Sequence, residues 1–452
     1  MKQYELQPTE DNILKTLEGD WLNRNRDLFR FIDMLQSPLS PEIIALDGKW
    51  GCGKTFFVKQ MMMIMNSFNK FSNYNQDLRD KIKKIIDEKN EIKNDYLVVY
   101  YDAWKNDSYQ DPIVSIIYEI SKQLSINFQI EDNITPYKVA ASIIENISKV
   151  NINSIVDSLK SDDPLSSFKQ QVEIEKQFKQ FFTDVLIERG NKLIVVIDEL
   201  DRCNPCFAVK LLEQLKHYVD DERVLFVVST NLDELQHTVK HYYGESFDAC
   251  KYLNKFFSIT VKMPPIDKEK YYSKIGLNTN YTVENNCKII INEYHMELRE
   301  IAYFLSQVEI AVYNPTHGRK EAVFPDGKAE EINLLYIAPL IIGLNIVDKD
   351  LCNDFVNGKN YSPLLRLIEI KDNGEFLLNS FLEHNETFIE QDDKKKVTRE
   401  ELVKRWYNAI FVKEYTGSDY YTNIGGKYEF TSDSKKSLLS AAGLLSNYAN
   451  YK

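Results

Sequence analysis

The sequence lacks the features that mark a membrane or secreted protein. No stretch approaches 18 consecutive apolar residues, so we expect no transmembrane helix and no membrane partner. The N-terminal residues MKQYELQPTEDNILK contain no apolar core of the kind found in a secretory signal. Cysteine is scarce, with 6 in 452 residues, which favours free thiols over a disulfide framework. These absences together predict a cytoplasmic protein.

A surplus of positive charge is also missing. The chain has 56 Lys and Arg against 68 Asp and Glu, a net charge of −12. A surface of this sign repels phosphate backbones, so nucleic acid is not a favoured partner, although a local basic groove is compatible with the balance. The same argument weakens the interpretation of the chain as a DNA-remodelling motor.

Histidines and paired cysteines are too few to suggest a metal or nucleophile centre. His317 and His384 are isolated, and surface histidines are the better interpretation. Cys203 and Cys206 form one CxxC, but no second pair stands at zinc spacing. A junction between a loop and a helix is therefore favoured there over a metal or redox site.

The sequence does contain regularly spaced apolar runs, each short enough for a buried strand. Helical periodicity fills the gaps between them, at residues 20–35, 55–68 and 207–219 and broadly over 112–189, where the polar stretch 151–164 suggests a mobile loop. This alternation predicts a parallel sheet flanked by helices. The five predicted strands are residues 43–46, 96–101, 192–197, 224–228 and 259–261.

The strongest chemical signal is the run GKWGCGKT, which begins at Gly48 and fits GxxxxGK[ST] at every fixed position. Backbone N–H groups can approach triphosphate oxygens closely only where glycines lack a Cβ atom. Lys54 would reach the β- and γ-phosphates, and Thr55 would offer its hydroxyl to Mg²⁺. The predicted nucleotide-binding residues are Gly48, Trp50, Gly51, Cys52, Gly53, Lys54, Thr55 and Phe56.

Two further strands end in polar residues. The strand at 192–197 is followed by Asp198, expected to hold Mg²⁺, and by Glu199, expected to deprotonate the attacking water. The strand at 224–228 leads to Thr230 and Asn231, either of which would sense the γ-phosphate at the carboxyl end of a parallel strand. Asn231 also has the sequence context of a helix N-cap, and both interpretations stay open.

These stretches resemble the KAP family of P-loop ATPases, which belongs to the AAA+-like additional-strand group. The likeness runs over residues 18–305 and rests on WGCGKT from Trp50, YDAW from Tyr101 and IDELDRCNP from Ile197, with DWLNR from Asp20 upstream and YLNKF from Tyr252 near the end. It departs from the family pattern at Glu199 and Asn231, where an aspartate is common. The family is named partly for a plasmid-encoded phage-exclusion protein, so the resemblance implies a place in antiviral defence.

The resemblance completes the predicted architecture. We expect an α/β protein: a P-loop NTPase αβα sandwich over residues 1–266 with a polar helical insertion near 69–94. A helical lid follows over 267–312, and a mostly helical region of unknown role over 313–452, with a turn-rich piece at 314–327. Arg299 resembles the family's second sensor and would report loss of the γ-phosphate; a solvated arginine on a helix is the alternative.

Lys255 occupies the place where AAA+-like ATPases put a basic finger that acts on a neighbouring subunit. Such a cation would stabilise charge on the transferred phosphoryl group, which implies self-association. A solvated lysine at a helix end is the alternative. Arg202 competes for the finger role, but we expect it to pair with the adjacent Asp201.

The sequence therefore predicts an ATPase with ATP and Mg²⁺ at its site, which drives a conformational or assembly switch with an unidentified protein partner. An ATP-binding scaffold with little turnover is the rival, and the carboxylate of Glu199 favours the enzyme. A GTPase would need a base-reading NKxD motif, and the run NKFF from Asn254 lacks its final acid.

Overall fold

The computed structural model describes residues 4–37, 42–86, 91–109, 111–124, 182, 183, 186, 190–218, 221–277, 281–312, 328–370, 374–391, 393–417 and 419–443. The loop predicted at 151–164, the turn-rich piece at 314–327, His317 and most of the helical pattern of 112–189 lie outside these residues. Contacts divide the chain into two compact units, Gln7–Lys270 and a second made of Met1–Leu6 with Tyr271–Lys452. The assignment of residues 267–312 as a separate lid stays a prediction.

The unit Gln7–Lys270 is built on a five-stranded sheet whose strands all run parallel. The order across the sheet is β2-β3-β4-β1-β5, so β4 lies between the strand before the glycine loop and the strand that ends in the acids. All five strands fall where the apolar runs predicted them: β1 (Ile43–Asp47), β2 (Tyr96–Asp102), β3 (Lys192–Asp198), β4 (Val224–Thr230) and β5 (Ile259–Lys262).

Helices cover both faces of this sheet, because β-strand side chains alternate between the two faces and most here are apolar. One face packs against α1 (Glu10–Glu18), α2 (Asn25–Leu35), α3 (Lys54–Phe68) and α4 (Gln76–Ile85). The other packs against α5 (Pro112–Gln123), α6 (Pro205–Tyr218), α7 (Leu232–Tyr243) and α8 (Ala249–Leu253). The predicted αβα sandwich is thereby confirmed.

The helix predicted from residue 20 begins later, at Asn25, and this prediction was wrong. Asp20 and Asn23 have positive φ angles of 42° and 58°, which a helix cannot contain. Oδ1 of Asp20 instead accepts hydrogen bonds from the amides of Arg24 (2.9 Å) and Asn25 (3.1 Å) at the start of α2. Within the polar insertion, the described helix α4 buries Leu78 and Ile82.

The second unit is mostly helical, as predicted, with two small sheets that were not predicted. The strands are β6 (Glu386–Thr387) with β7 (Lys395–Lys396), and β8 (Tyr421–Ile424) with β9 (Tyr428–Thr431). The helix α9 (Lys268–Ile275) spans the boundary between the units. The remaining helices are α10 (Thr282–Glu293), α11 (Leu298–Val312), α12 (Lys328–Ile332), α13 (Ala338–Val347), α14 (Lys349–Val356), α15 (Ser362–Glu369), α16 (Glu375–Asn379), α17 (Arg399–Phe411) and α18 (Ser432–Ala441), with a π-helical turn at Asn333–Ile337.

One helical stretch within the described ranges, Ala329–Val347, is long and apolar enough to cross a membrane by length and composition. It is 67% buried inside the protein, and a core helix passes the same test. Asn333 in this stretch accepts a 3.2 Å hydrogen bond from Nε1 of the fully buried Trp406. The expectation of no membrane partner stays a prediction.

Candidate functional site

The glycine loop follows β1 and ends in the first turn of α3. Gly51 and Gly53 have φ angles of 81° and 92°, which side chains other than glycine rarely adopt. The amide of Gly48 donates a 3.1 Å hydrogen bond to the carbonyl of Thr230, which joins the loop to the end of β4. A Cβ atom on Gly48 would come within 2.7 Å of Met263 and 2.8 Å of Cys52, so the loop has no space for a larger residue there.

Lys54 is the first residue of α3 and is buried. Its ammonium group folds back over the loop, where it donates to the carbonyl oxygens of Gly48 and of Lys49, the latter at 3.1 Å. The ammonium and the amino end of α3 therefore meet at one place, an arrangement that favours an anion. Phe56, also predicted to bind nucleotide, packs its side chain against the apolar layer beneath α3.

Asp198 and Thr55, the two predicted Mg²⁺ ligands, lie side by side. Asp198 is fully buried, and its Oδ2 accepts a 2.8 Å hydrogen bond from the hydroxyl of Thr55. Carboxylate and hydroxyl oxygens are ligands that Mg²⁺ prefers. The donor set therefore fits the ion that the motif implies.

Tyr100 is a third member of this group that the sequence did not reveal. Its hydroxyl donates to the same Oδ2 of Asp198 at 3.0 Å. Burial, reinforced by the charges of Asp198 and Asp102, raises the pKa of Tyr100, so the phenol stays a donor at all working pH values. Tyr100 thus orients a predicted metal ligand from the neighbouring strand β2.

Glu199, the predicted base, follows β3 in a left-handed conformation with φ 60° and ψ 29°. Its amide donates to Oδ1 of Asp198 (3.0 Å) and to the carbonyl of Ser229 (3.2 Å), which fixes the backbone against β4. Its carboxylate lies 3.0 Å from Nη1 of Arg202. The expected pairing of Arg202 with Asp201 was therefore wrong.

Asp201 instead connects the glycine loop with β4. It is buried, and its two carboxylate oxygens accept from Nε1 of Trp50 and from the hydroxyl of Thr230, the latter at 2.9 Å. The indole of Trp50 is still 45% exposed. Thr230, one of the two sensor candidates, is thus engaged by Asp201.

Asn231 stands at the end of β4 and caps α7, since its side-chain oxygen accepts from the amide of Asp233 at 3.2 Å. The N-cap interpretation holds, and a role in sensing the γ-phosphate stays a prediction. The adjacent Ser229 is fully buried, and its hydroxyl has no hydrogen-bond partner among the residues that the structure describes.

Arg24 joins the glycine loop to the end of this unit. Its buried guanidinium donates to the carbonyl of Cys52 at 2.7 Å and to the carbonyls of Pro264 and Pro265, the latter at 3.4 Å. The sequence placed Arg24 in a stretch that resembles the family but assigned it no role. Beside it, Oδ2 of Asp20 forms a 2.9 Å ion pair with Lys270.

The two remaining predicted residues lie elsewhere. Lys255 is exposed and precedes β5, at the amino edge of the sheet, whereas the glycine loop lies at the carboxyl edge. It therefore has no place in its own chain's site. Arg299 is exposed in the first turn of α11 in the second unit, and its role as a sensor stays a prediction.

The parallel sheet with its glycine loop, buried lysine and paired Thr55 and Asp198 define a nucleotide-binding P-loop NTPase. A family model described as the KAP family P-loop domain matches residues 29–310, and the chain belongs to the KAP family of P-loop NTPases.

Two more distant likenesses accompany the family match. An uncharacterized protein of Methanocaldococcus jannaschii is 26% identical over 165 residues, which cover 27% of this chain and 84% of that protein. The solved structure of the Aeropyrum pernix ORC1 protein in complex with DNA covers 95% of this chain and 94% of its own, at 13% identity and a TM-score of 0.32.

Proposed function

We propose that this protein hydrolyses ATP and uses the reaction to drive a conformational or assembly switch. The carrying observation is the hydrogen bond between Thr55 and the buried Asp198, with the carboxylate of Glu199 following in the next residue of the chain. These are the groups that a P-loop enzyme needs to hold Mg²⁺ and to activate a water molecule.

Each group has a definite task in this proposal. Lys54 binds the β- and γ-phosphates, and Thr55 and Asp198 hold the Mg²⁺ that neutralises phosphate charge when it is bound. Glu199 accepts a proton from the attacking water molecule while the oxygen of that water bonds to the γ-phosphorus. The bond from that phosphorus to the ADP oxygen breaks, which leaves ADP and inorganic phosphate.

Arg24 supports the switch part of the proposal. Its guanidinium is bonded both to Cys52 of the glycine loop and to Pro264 and Pro265, which lead into the second unit. A movement of the loop on hydrolysis would shift a guanidinium that is held at both ends, and through it the segment that follows β5.

Hydrogen exchange tests this connection. With a slowly hydrolysed ATP analogue and with ADP, we expect the backbone amides of residues 266–270 of the wild type to differ in protection. Arg24→Lys keeps the charge but loses the forked geometry, so it should bind nucleotide and lose this difference. Arg30→Lys, on an exposed face of α2, is the matched control. Equal protection in both nucleotide states of the wild type would argue against the switch.

Turnover distinguishes the enzyme from its rival, a nucleotide-binding scaffold. Glu199→Gln keeps the shape of the side chain and removes the base, so it should bind ATP as the wild type does and hydrolyse it at least about a hundredfold more slowly. A wild type without turnover, alone or with candidate partners, would support the scaffold.

The antiviral role belongs to this proposal through the family resemblance alone. Cells that carry the wild-type gene should plate phage less efficiently than cells with the Lys54→Ala variant. Equal plating over a broad phage panel would remove this part of the proposal.

A further inference from the structure

The catalytic base of the proposed reaction is engaged by its own chain. Glu199 Oε1 lies 3.0 Å from Nη1 of Arg202, and the two side chains are only 20% and 23% exposed. A short 3₁₀ helix, Leu200–Arg202, follows Glu199 and places residues three apart on the same side. Because both side chains are partly buried, solvent screens this ion pair less than it screens a typical surface pair.

Arg202 is itself supported by an aromatic ring. Its guanidinium carbon lies 5.4 Å from the centroid of the Trp104 ring, within cation–π range. The preceding residue, Ala103, donates its amide to the carbonyl of Asp198 at 3.0 Å, so the chain that carries Trp104 is anchored to β3. Trp104, Arg202 and Glu199 thus form a chain of three residues joined by two contacts, beside the predicted metal ligand Asp198.

The alternative partner of Arg202 is already occupied. Both oxygens of Asp201 accept hydrogen bonds, from Trp50 and from Thr230, on the side of the glycine loop and β4. The backbone amide of Glu199 is held by Asp198 and by Ser229, which fixes where its side chain begins. The contacts of Asp201 and the 3₁₀ helix at Leu200–Arg202 together place Arg202 next to Glu199.

A carboxylate bound to a guanidinium is a poor general base. One of its oxygens lies against the guanidinium, so the carboxylate must leave Arg202 before it can turn to an attacking water molecule. We propose that Arg202, supported by Trp104, is a positioning residue that restrains Glu199 in a resting state, and that this contact opens before each hydrolytic step. The inference rests on the proposed hydrolysis and names its internal restraint.

Steady-state kinetics of the full-length protein test the restraint. Arg202→Gln should raise kcat at least about fivefold, which corresponds to about 1 kcal/mol of activation free energy, while the KM for ATP stays within about twofold. Arg202→Lys keeps the charge without the fork and should give an intermediate rate. Trp104→Leu should raise kcat by a smaller factor, since it weakens the support and leaves the ion pair.

The control and a double variant separate this idea from loss of structure. Arg223→Gln removes an ion pair with Asp221 at the start of β4, at the opposite edge of the sheet, and should leave kcat unchanged. Arg202→Gln combined with Glu199→Gln should be as slow as Glu199→Gln alone, because the gain requires the base. A lower or unchanged kcat in Arg202→Gln and Arg202→Lys, with an active wild type, overturns the restraint and leaves the ATPase intact. No hydrolysis by any of these proteins overturns both.

Discussion

Thr55 donates a 2.8 Å hydrogen bond to Oδ2 of Asp198 across 143 residues of sequence. Thr55 lies in the first turn of α3, and Asp198 is the last residue of β3, with β4 between β3 and the strand that precedes the loop. The bond therefore links two segments whose strands, β1 and β3, are separated in the sheet by β4. It brings together the two oxygens at which a metal ion and a triphosphate would meet.

Lys54→Ala should weaken binding of MgATP at least tenfold, about 1.4 kcal/mol. The variant removes the buried ammonium that donates to the carbonyl oxygens of Gly48 and Lys49 in the glycine loop. Titration with a fluorescent ATP analogue measures the change, and Lys70→Ala, an exposed lysine after α3, is the control. Unchanged affinity in Lys54→Ala would contradict the assignment of the loop.

Tyr100→Phe should weaken the apparent affinity for Mg²⁺ about tenfold, because it removes a donor that orients Asp198. Binding of ATP without the metal should not change. The raised pKa of Tyr100 keeps the phenol protonated, so the loss should be constant between pH 6 and 9. Tyr101→Phe is the matched control, since that hydroxyl bonds to Ser115 instead. Equal Mg²⁺ affinity in Tyr100→Phe and the wild type would show that the phenol has no part in the site.

The order of elements and the identity of the loop were predictable from sequence, because both are local. Each strand is a short apolar run, and the loop is a fixed pattern of residue types. The position of Tyr100 was not predictable, since its partner Asp198 lies 98 residues away and nothing in the pattern of β2 marks one tyrosine among several.

Local reasoning also failed where backbone geometry decided the outcome. The helical spacing of apolar residues extends back to the segment that contains Asp20 and Asn23. The positive φ angles of these two residues prevent a helix there, so α2 begins only at Asn25. Adjacent charges suggested a pair between Arg202 and Asp201, but the 3₁₀ turn aligns residues three apart and turns Arg202 toward Glu199.

Lys255→Ala tests the self-association that the sequence predicts. The exposed lysine lies at the edge of the sheet away from its own glycine loop, so any action on a phosphate must be on a neighbouring subunit. Wild-type activity per molecule should rise with protein concentration, and the variant should bind ATP but stay slow. Lys251→Ala, with a side chain 85% exposed, is the control. Flat activity from a protein that stays monomeric with ATP would refute both parts.

Glu386→Gln should destabilise the second unit by about 2 kcal/mol at pH 7. Both guanidinium nitrogens of Arg405 lie 2.9 Å from the buried carboxylate, and these bonds lower the pKa of Glu386. A lowered pKa stabilises the fold above the unfolded value of about 4.3 and loses this effect as pH falls through the folded value. Thermal unfolding should thus show a difference in stability between variant and wild type at pH 7 that narrows in acid, as the pH falls through the lowered pKa of Glu386. The exposed Glu390→Gln should show no gap, and a gap that persists in acid would contradict the role of the charge.

Glu199 combines a long acidic side chain with a left-handed backbone conformation that few residues other than glycine adopt. Aspartate adopts φ 60° more readily than glutamate does, and an aspartate is common at this place in the family that the sequence resembles. Glu199→Asp would therefore relax the turn while it draws the carboxylate back by one methylene. At this residue a longer reach toward the site is therefore combined with a backbone conformation that costs free energy for any residue other than glycine.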